Sequence, residues 1–479
     1  MTKAQSLAGS YLWTALGDGM RQVLGFAVSL VLARLLTPSD YGLVGMVLVF
    51  VSVLSSVQES GPSQAVIQFG KDPQAFPICS TAGSALGLAM AIALFLAAPA
   101  VAIFYAVPAL EPIVRVMSCV LLFNGVRSAS QGALLREFQF RRVTVIETVA
   151  GFSGSLVAVA MAAHGYGAWS LVANLVLASA LQAILIARAV RPQWTPLMAT
   201  PLSRAILAWV LPSLGSVLLW QAYVNADSFA IGKRLGSEQL GYYAIAFRLA
   251  MLVNDRLGAV VSRVSFSSLA GMREDPARAT GHWLLLLERM ALVTYPFLAF
   301  LYLCREDAII VLLGAKWLPA AEPLRILAIG AAFRAVSPVT ANFLATQGHT
   351  RWNFAFSLLN AAVLPAGFWI GAGWGGVSGV AWAWVICYPA LLLVILAKAS
   401  SLPGAGWARL AKAHVRPVCL LLPVAAMTGA VRLLIPGDPL LRLTASLAAA
   451  AAGGLIFLVL NPGLREEMRR VFASARGAA

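Results

Sequence analysis

The feature that most constrains this chain is a succession of long apolar runs separated by little more than turns. Runs of spanning length fall at about 11–33, 41–65, 80–106, 110–131, 143–163, 168–190, 206–231, 241–264, 283–304, 320–346, 352–371, 376–398, 417–435 and 439–460. A helix needs about 20 predominantly apolar residues to cross a bilayer, so the pattern predicts an all-α polytopic membrane protein with about fourteen spans. The connections are short and turn-rich, as at Thr37-Pro38-Ser39-Asp40, His164-Gly165-Tyr166-Gly167 and Pro436-Gly437-Asp438. None is long enough to fold as a soluble catalytic domain. A transmembrane β-barrel is excluded, because it would show short alternating strands instead of continuous apolar runs.

Charge has to be read against that background. Of 479 residues, 60% are apolar and 11% charged, yet the net charge is +16. Soluble domains carry about a quarter charged residues. A strongly basic chain invites a nucleic-acid partner, but in a membrane protein Lys and Arg accumulate on the cytoplasmic side. With the N-terminus inside, about 20 of the 35 basic residues fall in inner loops and tails and about 7 in outer connections, among them Arg305, Arg432 and Arg442. That asymmetry predicts both termini in the cytoplasm and needs no nucleic acid. The first run, interrupted by Asp18 and Arg21, reads as a retained span and not a signal peptide. The five cysteines are scattered and the four histidines lie far apart, so neither a disulfide framework nor a metal site is expected.

The remaining eight basic residues lie inside predicted spans: Arg21, Arg115, Arg127, Arg248, Arg256, Arg289, Arg325 and Arg334. Six carboxylates accompany them, at Asp18, Glu59, Glu147, Asp227, Asp255 and Glu288. Ionisable groups in spans are costly unless paired or hydrated, and usually face a bundle interior or wet cavity. Structural pairing competes with ligand contact: Asp18 and Arg21 stand at an ordinary intrahelical i,i+3 spacing. Helical spacing also lines up polar stripes, such as Ser52, Ser56, Glu59 and Ser63 in the second span and Thr144, Glu147, Thr148, Gly151 and Ser155 in the fifth. In the seventh, Ser213, Ser216, Trp220 and Asp227 line up, and in the eighth Arg248 and Asp255 lie two turns apart. Small polar residues also pack helices together without any ligand. The excess of arginines over carboxylates, however, suits an anionic cargo.

The chain also repeats itself. Pro108-Ala109-Leu110-Glu111-Pro112 recurs about 211 residues later as Pro319-Ala320-Ala321-Glu322-Pro323. Each copy is followed by an Arg (Arg115, Arg325) and an Arg-x-x-Ser (Arg127 to Ser130, Arg334 to Ser337). LARLLTPSDYGL at 32–43 is echoed by IGKRLGSEQLGY at 231–242. Corresponding elements lie six spans apart, which predicts two halves of like orientation related by an axis along the membrane normal.

Other motifs carry little. Gly371-Ala372-Gly373-Trp374-Gly375-Gly376 matches GxGxxG but lies between apolar spans, so it reads as a tight turn and not a dinucleotide site. No GxxxxGK[ST] phosphate loop is present. Glu306-Asp307 reads as an exposed loop pair, and the basic stretch 464–476 as an orientation-setting tail able to rest on anionic headgroups. No cofactor is expected.

LARLLTPSDYGLVGM at 32–46, REFQFRRVTVIET at 136–148, ADSFAIGKRLGSEQLGYYAIAFRL at 226–249 and LLGAKWLPAAEPLRIL at 312–327 resemble the Wzx-type polysaccharide exporters of the MOP superfamily, especially the branch of the colanic-acid exporter. The resemblance implies two six-helix lobes, 1–200 and 201–400, followed by two extra helices and a basic tail over 401–479. It implies a central cavity that opens alternately to each side. It further implies a flippase, not an enzyme, carrying lipid-linked oligosaccharides on undecaprenyl pyrophosphate across the bacterial inner membrane. Membrane lipids, a coupling proton or sodium ion, and the polysaccharide polymerase and export machinery are the implied partners. From position, Arg21, Arg127, Arg248, Arg256 and Arg334 are expected to line the cavity. Asp18, Glu147, Asp227 and Asp255 are expected as counter-charges or ion-coupling groups, with Arg115 and Arg325 near the periplasmic mouth. The competing readings are a multidrug extruder of the related MATE type, whose usual cationic cargo fits surplus arginine poorly, a membrane-embedded polymerase or glycosyltransferase, and a non-transporting assembly protein.

Overall fold

The structure, a computed structural model, describes residues 25–196, 200–463 and 465–466. Asp18 and Arg21, with most of the first run, lie outside the described residues, as do the tail arginines Arg469, Arg470 and Arg476. The side chains of Ser213 and Ser216 are likewise outside the description.

Among the described residues the chain is built from helices. They are α1 (Gly25–Leu35), α2 (Pro38–Gln58), a π-helical turn (Glu59–Ser63), α3 (Gln64–Phe69), α4 (Ala75–Tyr105), α5 (Leu110–Arg136), α6 (Phe140–Ala163), α7 (Ala168–Ala189), α8 (Pro201–Val224) and α9 (Ala226–Leu235). There follow α10 (Ser237–Ala270), α11 (Pro276–Leu312), a 3₁₀ turn (Ala315–Ala320), α12 (Ala321–Arg334), α13 (Ser337–Thr346), α14 (Thr350–Ser400), α15 (Trp407–Leu434) and α16 (Pro439–Leu460). Eleven helical segments among the described residues are long and apolar enough to cross a membrane. α10 is long enough but carries Arg248, Asp255 and Arg256 through its middle. α14 holds two of the predicted runs, broken at Gly375-Gly376, where Gly376 takes φ 59°. The tight turn expected there is this break.

Contacts divide the chain into two units, one through Ala244 and one from Ile245. In the first, α5 packs against α2, α4 and α7, and buries Leu110, Met117, Leu121 and Leu134 completely. In the second, α11 packs on α12, α15 and α16, and α12 on α14. Trp283 of α11 stacks on Phe343 of α13 with ring centres 4.8 Å apart.

The internal repeat marks helix starts. α5 and α12 begin at corresponding points of the two Pro-Ala-x-Glu-Pro copies. α2 and α10 likewise begin at Pro38 and Ser237, which are equivalent in the second motif pair. At α2 the connection is a capping box: Asp40 accepts from the Thr37 N–H at 2.8 Å, and Thr37 Oγ1 accepts from the Asp40 N–H. Within the first unit these two starts cross reciprocally. A Cβ on Gly42 would overlap the Ser237 carbonyl, and one on the equivalent Gly241 would overlap that of Pro38. Ser39 and Ser237 hydroxyls are 3.0 Å apart at the same place.

Three expectations are corrected. The predicted seventh span is not one helix: it breaks at Asn225, so Trp220 and Asp227 sit on different helices, α8 and α9. Glu306-Asp307 is not an exposed loop pair. α11 runs on to Leu312, and the Asp307 side chain is fully buried. Arg442 grips Asp307 through Nε at 3.0 Å and through Nη2, and Arg432 stands 3.9 Å away. Arg305, Arg432 and Arg442 thus belong to helices α11, α15 and α16, not to outer connections. A hydropathy reading ends a span at its first charges, whereas here cations from two later helices neutralise the carboxylate and let the helix continue.

Candidate functional site

In the first unit, the site grows from a helix defect. Pro62 has no N–H, and its ring displaces the carbonyl four residues earlier. The helix responds with the π-helical turn Glu59–Ser63, a distortion common where a side chain must be re-aimed. Glu59 is left exposed at the start of the turn, and α5 brings Arg127 to it, with Nη2 to Oε1 at 3.3 Å. Residues at i−3 and i+4 on α5 complete the coordination. Arg127 Nε donates to Asn124 Oδ1 at 3.0 Å, and Nη1 donates to Gln131. Asn124 in turn donates to Ser55 Oγ at 3.1 Å, and Gln131 to Glu147 Oε1 at 3.3 Å. The Arg127 side chain is 10% exposed and Glu59 63%. One face of the network is sealed and the other exposed. A second polar seam joins α2 to α8, where Gln221 donates to the Ser52 carbonyl at 2.9 Å and Ser52 to Asn225 Oδ1 at 3.3 Å.

In the second unit, Arg334 ends α12. Pro338 cannot donate to the Arg334 carbonyl, so the helix breaks there and restarts as α13. The Arg334 guanidinium stands over three rings. Its carbon is 4.3 Å from the centre of Trp384, 5.5 Å from Phe247 and 5.8 Å from Tyr388. Tyr388 is aimed by its hydroxyl, which donates to Ser337 Oγ at 2.8 Å. Rings provide attraction without hydrogen-bond acceptors, and Arg334 Nη1 is buried with no hydrogen-bond partner. Arg248, Asp255 and Arg256 are all exposed, whereas Asn254 between them is buried and donates to the Ala331 carbonyl at 2.7 Å.

The residues expected from sequence therefore fall into three groups. Arg127 is joined to Glu147 through Gln131, whereas Arg334 meets its ring walls and Arg248, Asp255 and Arg256 lie exposed on α10. Asp227 is a buried carboxylate held within the fold, accepting from Tyr243 Oη at 2.7 Å and from the Ser228 N–H at 2.6 Å. Arg115 and Arg325 pair with the glutamates of their own repeats, Glu111 at 2.7 Å and Glu322 at 2.5 Å. Arg115 also lies 5.4 Å over Phe95. Sequence reasoning places Glu59 in a polar stripe but not in the site, and misses Asn124, Gln131 and the aromatic walls of Arg334. The available signals are Asn124 and Gln131 at helical spacing from Arg127, and Trp384 with Tyr388 one turn apart.

Each site can do one thing well. The Arg127 group is a bonded ion cluster whose carboxylate edge faces outward. The Arg334 group presents a guanidinium donor among flat apolar rings, a combination suited to phosphate or acidic sugars beside a pyranose face.

The chain resembles known proteins along most of its length. Residues 31–322 match the family described as polysaccharide biosynthesis protein. The succinoglycan biosynthesis transport protein ExoT of Rhizobium meliloti is 26% identical over 68% of this chain and 66% of its own length. The lipopolysaccharide biosynthesis protein WzxC of Escherichia coli is 22% identical over 77% of this chain and 75% of its own. Among solved structures, the lipid II flippase MurJ in an inward closed conformation superposes with a TM-score of 0.76 at 15% identity, covering 93% of this chain and 99% of that one. The last likeness shows the fold.

Proposed function

The chain belongs to the polysaccharide biosynthesis protein family, and from that premise we propose that it is a flippase for lipid-linked oligosaccharides. The cargo is an oligosaccharide on a polyprenyl pyrophosphate, with undecaprenyl as the carrier. It is moved unchanged from the cytoplasmic to the periplasmic leaflet of a bacterial inner membrane, with both termini of the flippase cytoplasmic. The related proteins named for succinoglycan and lipopolysaccharide synthesis support a saccharide cargo. The fold shared with the lipid II flippase supports a scaffold able to carry one.

The observation that carries the reading is Arg334. A buried donor without an acceptor costs about 1–3 kcal/mol, and an anionic ligand oxygen would remove that cost. The rings of Trp384, Phe247 and Tyr388 hold the guanidinium in place by cation–π attraction, worth about 2 kcal/mol when desolvated. A cationic drug would meet this group with repulsion, which disfavours a multidrug cargo. Asp255 and Glu59, each beside an arginine and each exposed, are the carboxylates through which a coupling proton or sodium ion would act. A polymerase or export assembly would receive the cargo on the far side.

The test is translocation of a fluorescent polyprenyl pyrophosphate oligosaccharide in vesicles containing only this protein. Time-dependent protection of the label from a membrane-impermeant quencher is expected. Equal quenching in protein-containing and empty vesicles would overturn the proposal.

A further inference from the structure

α15 and α16 pack together and against α11, with charge at both ends of the contact but in unequal balance. At one end, the buried Asp307 and neighbouring Glu306 of α11 meet Arg432 and Arg442. At the other, Glu288 of α11 meets Arg416 of α15 at 3.2 Å and is the one carboxylate among the described residues that line the space there. A groove of about 560 Å³ opens there, with Arg409, Lys412 and Arg416 on one wall and Leu284 and Leu285 on the other. All three cations are exposed. Arg409 donates to its own loop at the Gly404 carbonyl, 2.7 Å away, and Lys412 has no hydrogen-bond or ion-pair partner among the described residues.

Depth identifies what belongs in the groove. Glu288 and Asp307 are 19 positions apart on α11, roughly 28 Å along a helix at 1.5 Å per residue. That is close to the hydrocarbon thickness of a bilayer, about 30 Å, a spacing that fits the two clusters to the two headgroup levels. In the orientation proposed above, the open groove faces the inner leaflet, whose anionic lipids attract clustered Lys and Arg. Immediately along α15, Val415, Val418 and Leu422 are 53%, 50% and 71% exposed, an apolar strip that leads from the cations toward the bilayer centre.

We propose that this groove is a binding site for an anionic phospholipid. The headgroup phosphate sits on Lys412 and Arg416, with Arg409 at its edge, and an acyl chain follows the Val415–Leu422 strip. The lipid takes the place that Asp307 fills at the opposite end and closes the α11–α15 contact on the inner side. Glu288 is a resident competitor, because it holds Arg416 away from an incoming phosphate. The site requires only that the chain spans a membrane in the proposed orientation, so it stands or falls separately from the cargo.

The experiment is native mass spectrometry of the delipidated full-length protein titrated with phosphatidylglycerol, with phosphatidylethanolamine, and with glycerol phosphate as a tail-less headgroup. Wild type is expected to bind phosphatidylglycerol at least about ten-fold more tightly than phosphatidylethanolamine, and glycerol phosphate much more weakly. Lys412→Gln with Arg416→Gln should weaken phosphatidylglycerol by roughly 30-fold, whereas Glu288→Gln should tighten it several-fold. Equal binding of the two phospholipids, or an unchanged affinity in a folded double variant, overturns the site. Should the double variant fail to fold, Glu288→Gln decides: tighter phosphatidylglycerol binding supports the site and unchanged binding overturns it. Glycerol phosphate bound as tightly as the phospholipid would replace a lipid site by a simple anion site and overturn the proposal as stated.

Discussion

Two pairs of repeat-related positions differ in how alike their surroundings are. Gly42 and Gly241 are equivalent in the repeat, and each packs on the carbonyl at the start of the other's helix. Arg127 and Arg334 are equivalent in their motif, yet one is bonded by Asn124, Gln131 and Glu59, and the other is walled by Trp384, Phe247 and Tyr388. Where backbones meet, no side chain can be added on either side, so the two glycines are packed alike. Where side chains face polar space, the same cation serves two purposes. We propose that Arg127 serves as a structural ion and Arg334 as the donor to the cargo.

The strongest way to break this comparison is to remove the two cations separately. Arg334→Gln is expected to lower translocation by roughly 100-fold, the upper end of what a charged hydrogen bond contributes, while thermal unfolding in detergent shifts little. Arg334→Lys should restore only part of the activity, because an ammonium lacks the planar fork. Arg127→Gln should behave the other way. It strands Glu59, Asn124 and Gln131 around a lost charge, so a stability loss of about 2 kcal/mol is expected. That is less than for a fully buried pair, since Glu59 is mostly exposed. A folded, fully stable Arg127→Gln protein without transport would place both arginines on the cargo path and end the distinction.

The symmetric pair gives a sharper, smaller test. Gly42→Ala and Gly241→Ala should each destabilise by about 1–2 kcal/mol through overpacking, and by nearly the same amount, measured by thermal unfolding. A large effect from one and none from the other would show that the crossing is symmetric in sequence but not in load.

Much of the frame is legible in the amino-acid sequence, for a physical reason. In hydrocarbon the backbone must satisfy itself, so about twenty apolar residues leave little choice but a helix. Pro38 and Ser237 are recognisable as equivalent starts because a helix entrance has local chemistry: Thr37 and Asp40 cap within three residues. The sites are half legible. Arg334 stands out as a charge within an apolar run, but its walls come from residues 247, 384 and 388, and no local pattern links those positions. Asp307 is misread for the same reason, since Arg442, which neutralises it, lies 135 residues away. The break at Asn225 is hidden because hydropathy averages over a helix end that costs only one turn.

The smallest expected effect falls on the third repeat-related pair, Arg115 and Arg325. Each follows a Pro-Ala-x-Glu-Pro start and pairs with that glutamate, at i,i+4 in the first copy and i,i+3 in the second. The side chains are 44% and 36% exposed, so solvent screens the pairs and each contributes about 0.3–0.5 kcal/mol. Such a pair reinforces a helix entrance already set by proline and alanine, and cation–π contact with Phe95 adds little at an exposed site. Arg115→Gln and Arg325→Gln should therefore each leave translocation within about two-fold of wild type, an expectation that follows from the weakness of exposed pairs. If Arg325→Gln alone stops translocation, the second half carries cargo contacts at its helix entrance as well as at Arg334. The asymmetry between the halves would then extend along the whole of α12 and not be confined to its end.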